Sequence, residues 1–289
     1  MALRPRFNFA WSSHSTESTV GVVAPRKRKC FLFLIIAVFF GASLQHILSG
    51  LQLFRTPTLY HLYENYNGVE GFHHWLEFAD YYERYLHRFK ARTRVRMLEI
   101  GVQSGGSSRI WRQYFGGRLR YTGVDINPAC AQFTDVDAGF HIEIGSQLNA
   151  TFLGEVCRHH GPFDIVIDDG GHTTEMIITS IRALWPCVAP EGVYAIEDTL
   201  TMSSWRGQVG MLVEGQDLFG HVADLARRQS GYYAPEVFGM SMQFTDPDPF
   251  TQHLAAVHVH DNMIFLERRK EPWKALTEFK RGSRFINYN

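Results

Sequence analysis

Between residues 95 and 200 the chain alternates short apolar runs with stretches of helical period. Val95–Gly101, Arg120–Asp125, Phe140–Ile144, Phe163–Asp168 and Gly192–Glu197 are rich in Val, Ile, Leu, Phe and Tyr. Runs of this kind predict strands, buried on both faces where the apolar positions are continuous. The stretches near Gly106–Tyr114, Ala150–His159 and Thr174–Val188 predict helices between them. Strand–helix alternation implies a parallel sheet with right-handed crossovers. The end of the chain differs: Ala255–His260 and Met263–Arg268 are β-rich runs separated only by Asp261-Asn262, a hairpin signal. The expected architecture is α/β, a mostly parallel seven-stranded sheet with a terminal antiparallel hairpin. Ahead of it, aromatic residues from Trp75 to Phe89 recur at helical spacing and predict a helix packed on the sheet. His73, His74 and Trp75 are its candidates to line a pocket.

The N-terminus has a different pattern. Met1–Lys29 is polar and basic, with Glu17 its only acid, and Cys30–Leu48 then runs without Asp, Glu, Lys or Arg. A bilayer-spanning helix needs about 20 apolar residues. Arg26, Lys27, Arg28 and Lys29 abut the start of the run, so the positive-inside rule expects a type II signal anchor. That expectation makes the protein single-pass, with its catalytic domain lumenal, as in the Golgi. A cleaved signal peptide, an organelle transit peptide and a buried core helix are the alternatives. The expected division is a basic tail at 1–29, a transmembrane anchor at 30–49, a linker and aromatic helical cap at 50–94, and a catalytic domain at 95–289.

Composition narrows the classes further. Lys plus Arg equals Asp plus Glu at 29 each, so no bulk charge favours nucleic acid and no nucleic-acid partner is expected. Cys30, Cys130, Cys157 and Cys187 form no C-x-x-C pair, which argues against zinc held by cysteine. Cys157 and Cys187 fall in expected α/β elements and read as buried packing residues. Asn149-Ala150-Thr151 is a glycosylation sequon, though Asn149 also stands where it would cap a helix.

Candidate chemistry gathers at the predicted strand ends. MLEIGVQSGGSS (Met97–Ser108) runs from a strand through a glycine turn into a helix, and YTGVD (Tyr121–Asp125) ends the next strand in an aspartate. Glycines allow close backbone approach, and the aspartate stands where a ribose diol is held. G-x-G-x-x-G is absent, which disfavours a dinucleotide. Glu99, just before Gly101, suits a positively charged ligand such as S-adenosylmethionine. FDIVIDDGGH (Phe163–His172) and VYAIEDT (Val193–Thr199) also end in paired acids. Asp168, Asp169, Glu197 and Asp198 are expected to converge at one sheet edge, where only a cation or proton relieves their repulsion. Oxygen ligands of this type suit Mg²⁺, although some of the acids could instead cap helices. His172 follows the acid pair by two glycines and is a candidate general base.

LEIGVQSGGSSRIW, YTGVDI, IEIGSQ, GPFDIVIDDGGH and GVYAIEDT, in this order, resemble the mycinamicin- and macrocin-type macrolide-sugar O-methyltransferases. The resemblance covers about residues 75–205. It implies a Rossmann-like class I methyltransferase fold, S-adenosylmethionine as donor, Mg²⁺, and a sugar hydroxyl as acceptor. It further implies metal ligation by Asp169, Glu197 and Asp198, with His172 as the base. Glu99, Gly101, Asp125 and Gln147 would contact the donor, with Ser104 and Asp168 in the same subsite. The chain departs from the family run in carrying Gly171 where the family has serine. With a membrane anchor, the acceptor would be a glycan, glycolipid or other glycosylated molecule, and a homo-oligomer is compatible with that reading. A metal-dependent hydroxylase or hydrolase on the same scaffold, and a non-catalytic anchored module binding a sugar or nucleoside, are the competing readings.

Overall fold

The computed structural model describes residues 57–199, 212–231, 249–273 and 281. All of them fall in the second of two units of the chain, Pro57–Asn289. The tail 1–29 and the apolar run 30–49 lie outside the described residues. The single-pass, lumenal placement is corrected: among the described residues no helix is long and apolar enough to cross a membrane.

The elements are α1 (Leu59–Glu64), α2 (Phe78–Leu86), β1 (Val95–Ile100), α3 (Gly106–Phe115), β2 (Leu119–Asp125), β3 (Phe140–Ile144) and α4 (Ala150–His160). They continue with β4 (Phe163–Asp168), α5 (Thr174–Leu184), β5 (Val188–Ile196), α6 (Leu218–Gly231), α7 (Pro249–His253), β6 (Leu254–His260) and β7 (Met263–Arg268). The sheet order is β3-β2-β1-β4-β5-β7-β6. β1 to β5 pair in parallel, and β7 runs antiparallel to both of its neighbours. The strand order reverses between β1 and β4, which opens a crevice at their C-terminal ends.

Period-two alternation divides the core between the two sheet faces. Met97, Ile165, Ile167, Val193 and Phe265 pack with Leu59, Phe78, Tyr82, Trp111 and Phe115 on one face. Leu98, Ile100, Val166, Tyr194 and Ile264 pack with Leu153, Ile177, Ile181 and Val222 on the other. Both faces are covered, as a parallel sheet requires.

Element ends depart from the sequence expectation where turn chemistry intervenes. The helix expected from Trp75 begins at Phe78 and passes into a 3-10 turn, His87–Ala91. The helix expected to reach Val188 stops at Leu184, because Pro186 lies in a 3-10 turn and Val188 already opens β5. Cys157 and Cys187, expected to pack separately, form a disulfide between α4 and that turn. Asn149 caps α4 by accepting from the Phe152 N–H at 3.1 Å.

Candidate active site at the strand ends

A cleft of about 640 Å³ opens at the C-terminal ends of β1, β2 and β4, within the range of small-molecule sites. Its wall includes Gly101, Ser104, Asp125 and Gln147, and Asp169, His172, Glu197 and Asp198. His73, His74 and Trp75 line it as well.

The donor-side floor is the turn after β1. Gly101 has φ +95°, and a Cβ there would lie 2.0 Å from the Asp169 carbonyl oxygen. Glycine is therefore required both by conformation and by space. Gly101→Ala is expected to lower stability by about 1–3 kcal/mol from backbone strain alone, before any clash is counted, as read by thermal unfolding. Asp125 accepts from the backbone N–H groups of Val102 and Gln103 at 2.9 Å each, and of Asn127 at 2.8 Å. A carboxylate has about four lone-pair sites, so Asp125 keeps acceptor capacity toward the cleft.

Two residues expected on this wall stand behind it. Glu99 shares the strand parity of Met97 and points into the α3 layer. It is fully buried, and accepts from the Ser107 hydroxyl at 2.8 Å, the Trp111 indole at 3.1 Å and the Tyr121 hydroxyl. Burial raises its carboxyl pKa despite these donors. Glu99 is thus buried behind the lining of the cleft. Asp168 is likewise buried, with Ile100 and Ile196 as its neighbours across the sheet. It accepts from the Gln147 amide at 2.6 Å and the Tyr194 hydroxyl at 2.9 Å, and burial pushes its pKa up to about 7. Through that bond it holds Gln147, whose Oε1 accepts from the Gly171 N–H at 3.0 Å.

The acids just beyond the strand ends do face the cleft. The N–H of Asp169 donates to the Ile100 carbonyl at 3.0 Å, and that of Glu197 to the Asp168 carbonyl at 2.9 Å. These bonds carry the sheet ladder one residue past the strands and aim both side chains outward. Glu197 accepts from the Tyr82 hydroxyl. Asp198, at φ +54°, accepts from the Trp75 indole at 3.0 Å and the Asn262 amide at 2.8 Å, so the turn between β6 and β7 reaches back to fix it. Burial, then the carboxylates of Glu197, Glu99, Asp198 and Asp168, push the Asp169 pKa well above the usual range.

Two histidines join the acids. His172, at φ +55°, places Nε2 3.9 Å from both Asp169 Oδ1 and Asp198 Oδ2. His74 Nδ1 lies 3.3 Å from Glu197 Oε2. Burial opposes charging of His74, but Glu197, Glu99 and Asp198 outweigh it and raise its pKa. Ligand atoms of His74, Asp169 and Glu197 lie within 4.8 Å of one another, and so do those of Asp169, His172 and Asp198. The part of His74 beside Glu197 has no sequence signal of its own: the loop carrying it is far from the acids along the chain, and only folding joins them. Gly171, the departure from the family run, is explained locally. A Cβ there would lie 2.1 Å from the Met176 sulfur, so a serine would require the flexible Met176 side chain to shift.

A methyltransferase domain model matches residues 98–199. Demethylmacrocin O-methyltransferase of Streptomyces fradiae is 35% identical over 209 residues, covering 68% of this chain and 49% of its own. Mycinamicin VI 2''-O-methyltransferase of Micromonospora griseorubida is 32% identical over 234 residues, covering 74% and 53%. The structure of the MycE methyltransferase of the mycinamycin pathway, in complex with Mg, SAH and mycinamycin VI, superposes with a TM-score of 0.62 at 31% identity. It covers 74% of this chain and 54% of that one. The chain spans about half the length of the curated relatives it matches.

Proposed function

Since the chain carries a class I methyltransferase domain similar to the macrolide-sugar O-methyltransferases, we propose that it transfers the methyl group of S-adenosylmethionine to a sugar hydroxyl of a glycosylated small molecule or glycan. The observation that carries this reading is one cleft lined by both the Asp125 carboxylate and the Asp169–His172–Asp198 cluster. A donor bound along its length would present its methyl to an acceptor held by the cluster.

Asp125 accepts the ribose hydroxyls, and the backbone around Gly101 with Ser104 and Gln147 shapes the rest of the donor wall. The cluster fits a divalent cation: three carboxylates converge, and the Nδ1 atoms of His74 and His172 are buried without a hydrogen-bond partner. Asp169, Glu197 and Asp198 would hold Mg²⁺, which supplies Lewis acidity that lowers the pKa of an acceptor hydroxyl. His172 takes the proton from that hydroxyl as its oxygen attacks the methyl carbon. Thioether departure from the sulfonium balances the charge.

Donor affinity tests this reading. Loss of one charge-assisted hydrogen bond costs about 1.5–3 kcal/mol, so Asp125→Ala is expected to weaken S-adenosylmethionine binding roughly 10–150-fold by calorimetry. Unchanged affinity would remove the donor from Asp125. Turnover of methyl-labelled donor separates a methyltransferase from a hydroxylase, a hydrolase or a binding module on the same scaffold.

A further inference from the structure

We infer that His74 is a nitrogen ligand of the cation site, beside Asp169 and Glu197. The site is then a mixed nitrogen–oxygen one. The inference rests on the reading of the acid cluster as a cation site and goes beyond the oxygen ligands assigned to it.

Three observations carry it. First, the His74 side chain is 4% exposed, and its Nδ1 is buried without a hydrogen-bond partner. An imidazole nitrogen left in this state costs free energy unless something at the cleft satisfies it. Second, that nitrogen lies 3.3 Å from Glu197 Oε2 without hydrogen-bond geometry. Adjacent ligands of an octahedral ion with bonds of about 2.0–2.1 Å sit about 3 Å apart, so the pair is spaced as two ligands of one ion are. Asp169 completes the group within 4.8 Å. Third, the imidazole is held in place before any ion arrives. Its ring stacks on Phe72 at 4.9 Å between centroids. The preceding residues are tied to α3 by the Gly106 N–H to Gly71 carbonyl bond at 3.1 Å and by Arg109 to Glu70 at 2.7 Å.

His172 differs from His74 in one useful respect. Its side chain is 26% exposed, and Nε2 stands 3.9 Å from the two aspartates. It stays open to the cleft for proton transfer, whereas the His74 side chain is buried beside Glu197 at the cleft wall. Mn²⁺ takes the same oxygen-rich sites as Mg²⁺ and serves as its paramagnetic probe.

Metal-free full-length protein titrated with Mn²⁺ alone and with Mg²⁺ alone tests this. Pulsed electron paramagnetic resonance on the Mn²⁺ form is expected to show directly bound imidazole nitrogen, lost in His74→Ala and kept in His172→Ala. Partners that only orient a ligand already change metal affinity about 10–100-fold, so His74→Ala is expected to weaken both ions by at least about tenfold. His74→Gln retains side-chain bulk with an oxygen donor, and is expected to hold both ions without the nitrogen signal. Mn²⁺ bound without nitrogen, or nitrogen coupling that survives in His74→Ala, overturns the inference and leaves the methyltransferase reading standing. Failure of the wild type to take either ion overturns the cation site itself, and the inference with it.

Discussion

Asp169→Ala is expected to abolish measurable Mg²⁺ binding and to lower methyl transfer by about 10²–10⁴-fold, corresponding to about 3–5 kcal/mol of lost charge stabilisation. Asp169 is the one residue common to both groups of potential metal ligands. Its backbone N–H is fixed to the Ile100 carbonyl at the sheet edge, so no neighbour can take its place. Burial and the surrounding carboxylates disfavour its charged form, a condition that a bound cation relieves and that a proton relieves in its absence. Donor affinity is expected to change only a few-fold, because Asp125 is held by the backbone N–H groups of Val102, Gln103 and Asn127 and not by Asp169. Calorimetry with Mg²⁺ and with S-adenosylmethionine, together with labelled-donor turnover, reads the three quantities separately. A chelator should reproduce the Asp169→Ala loss in the wild type. Full turnover under chelation would make the cluster a structural feature and end the metal-assisted mechanism.

The parallel sheet and its hairpin were legible because both rest on strong local signals: apolar runs ending in Gly or Asp, and Asp261-Asn262 between two β-rich segments. The acids were legible as a group but not one by one. Glu99 and Asp168 lie within their strands, so pleating sends them into the α3 and α5 layers, where Trp111 and Tyr121, or Gln147 and Tyr194, take up their oxygens. Asp169, Glu197 and Asp198 lie just past the strand ends and turn into the cleft. A shift of one residue decides the outcome, and strand ends are the least certain feature of an apolar run. The helix of Leu218–Gly231 falls outside the strand–helix alternation, although Asp217 caps its start by accepting from the Gly220 N–H at 2.8 Å. The pairing of Cys157 with Cys187 joins positions 30 apart in sequence, and no spacing rule could have selected it. His74 was visible as a pocket candidate, but its approach to Glu197 depends on how the loop before α2 lies across α3, a tertiary matter.

His172→Asn is the sharpest test of proton transfer. The residue sits at φ +55°, a left-handed conformation that asparagine adopts more readily than most residues. Thr173 follows directly and caps α5 by accepting from the Met176 N–H at 3.2 Å, so the turn is held from its far side as well. Asparagine therefore keeps the backbone while removing the group that can take a proton at neutral pH. Loss of a general base costs about 10²–10⁴-fold in rate, and kcat is expected to fall by that order in both His172→Asn and His172→Ala. Donor affinity is expected to hold, since Asp125 and the Gly101 turn are untouched. A packing role would produce a different pattern: His172→Asn would retain most activity, and His172→Ala would lose stability along with rate. Full kcat in His172→Asn would assign the proton to another group on the cleft wall.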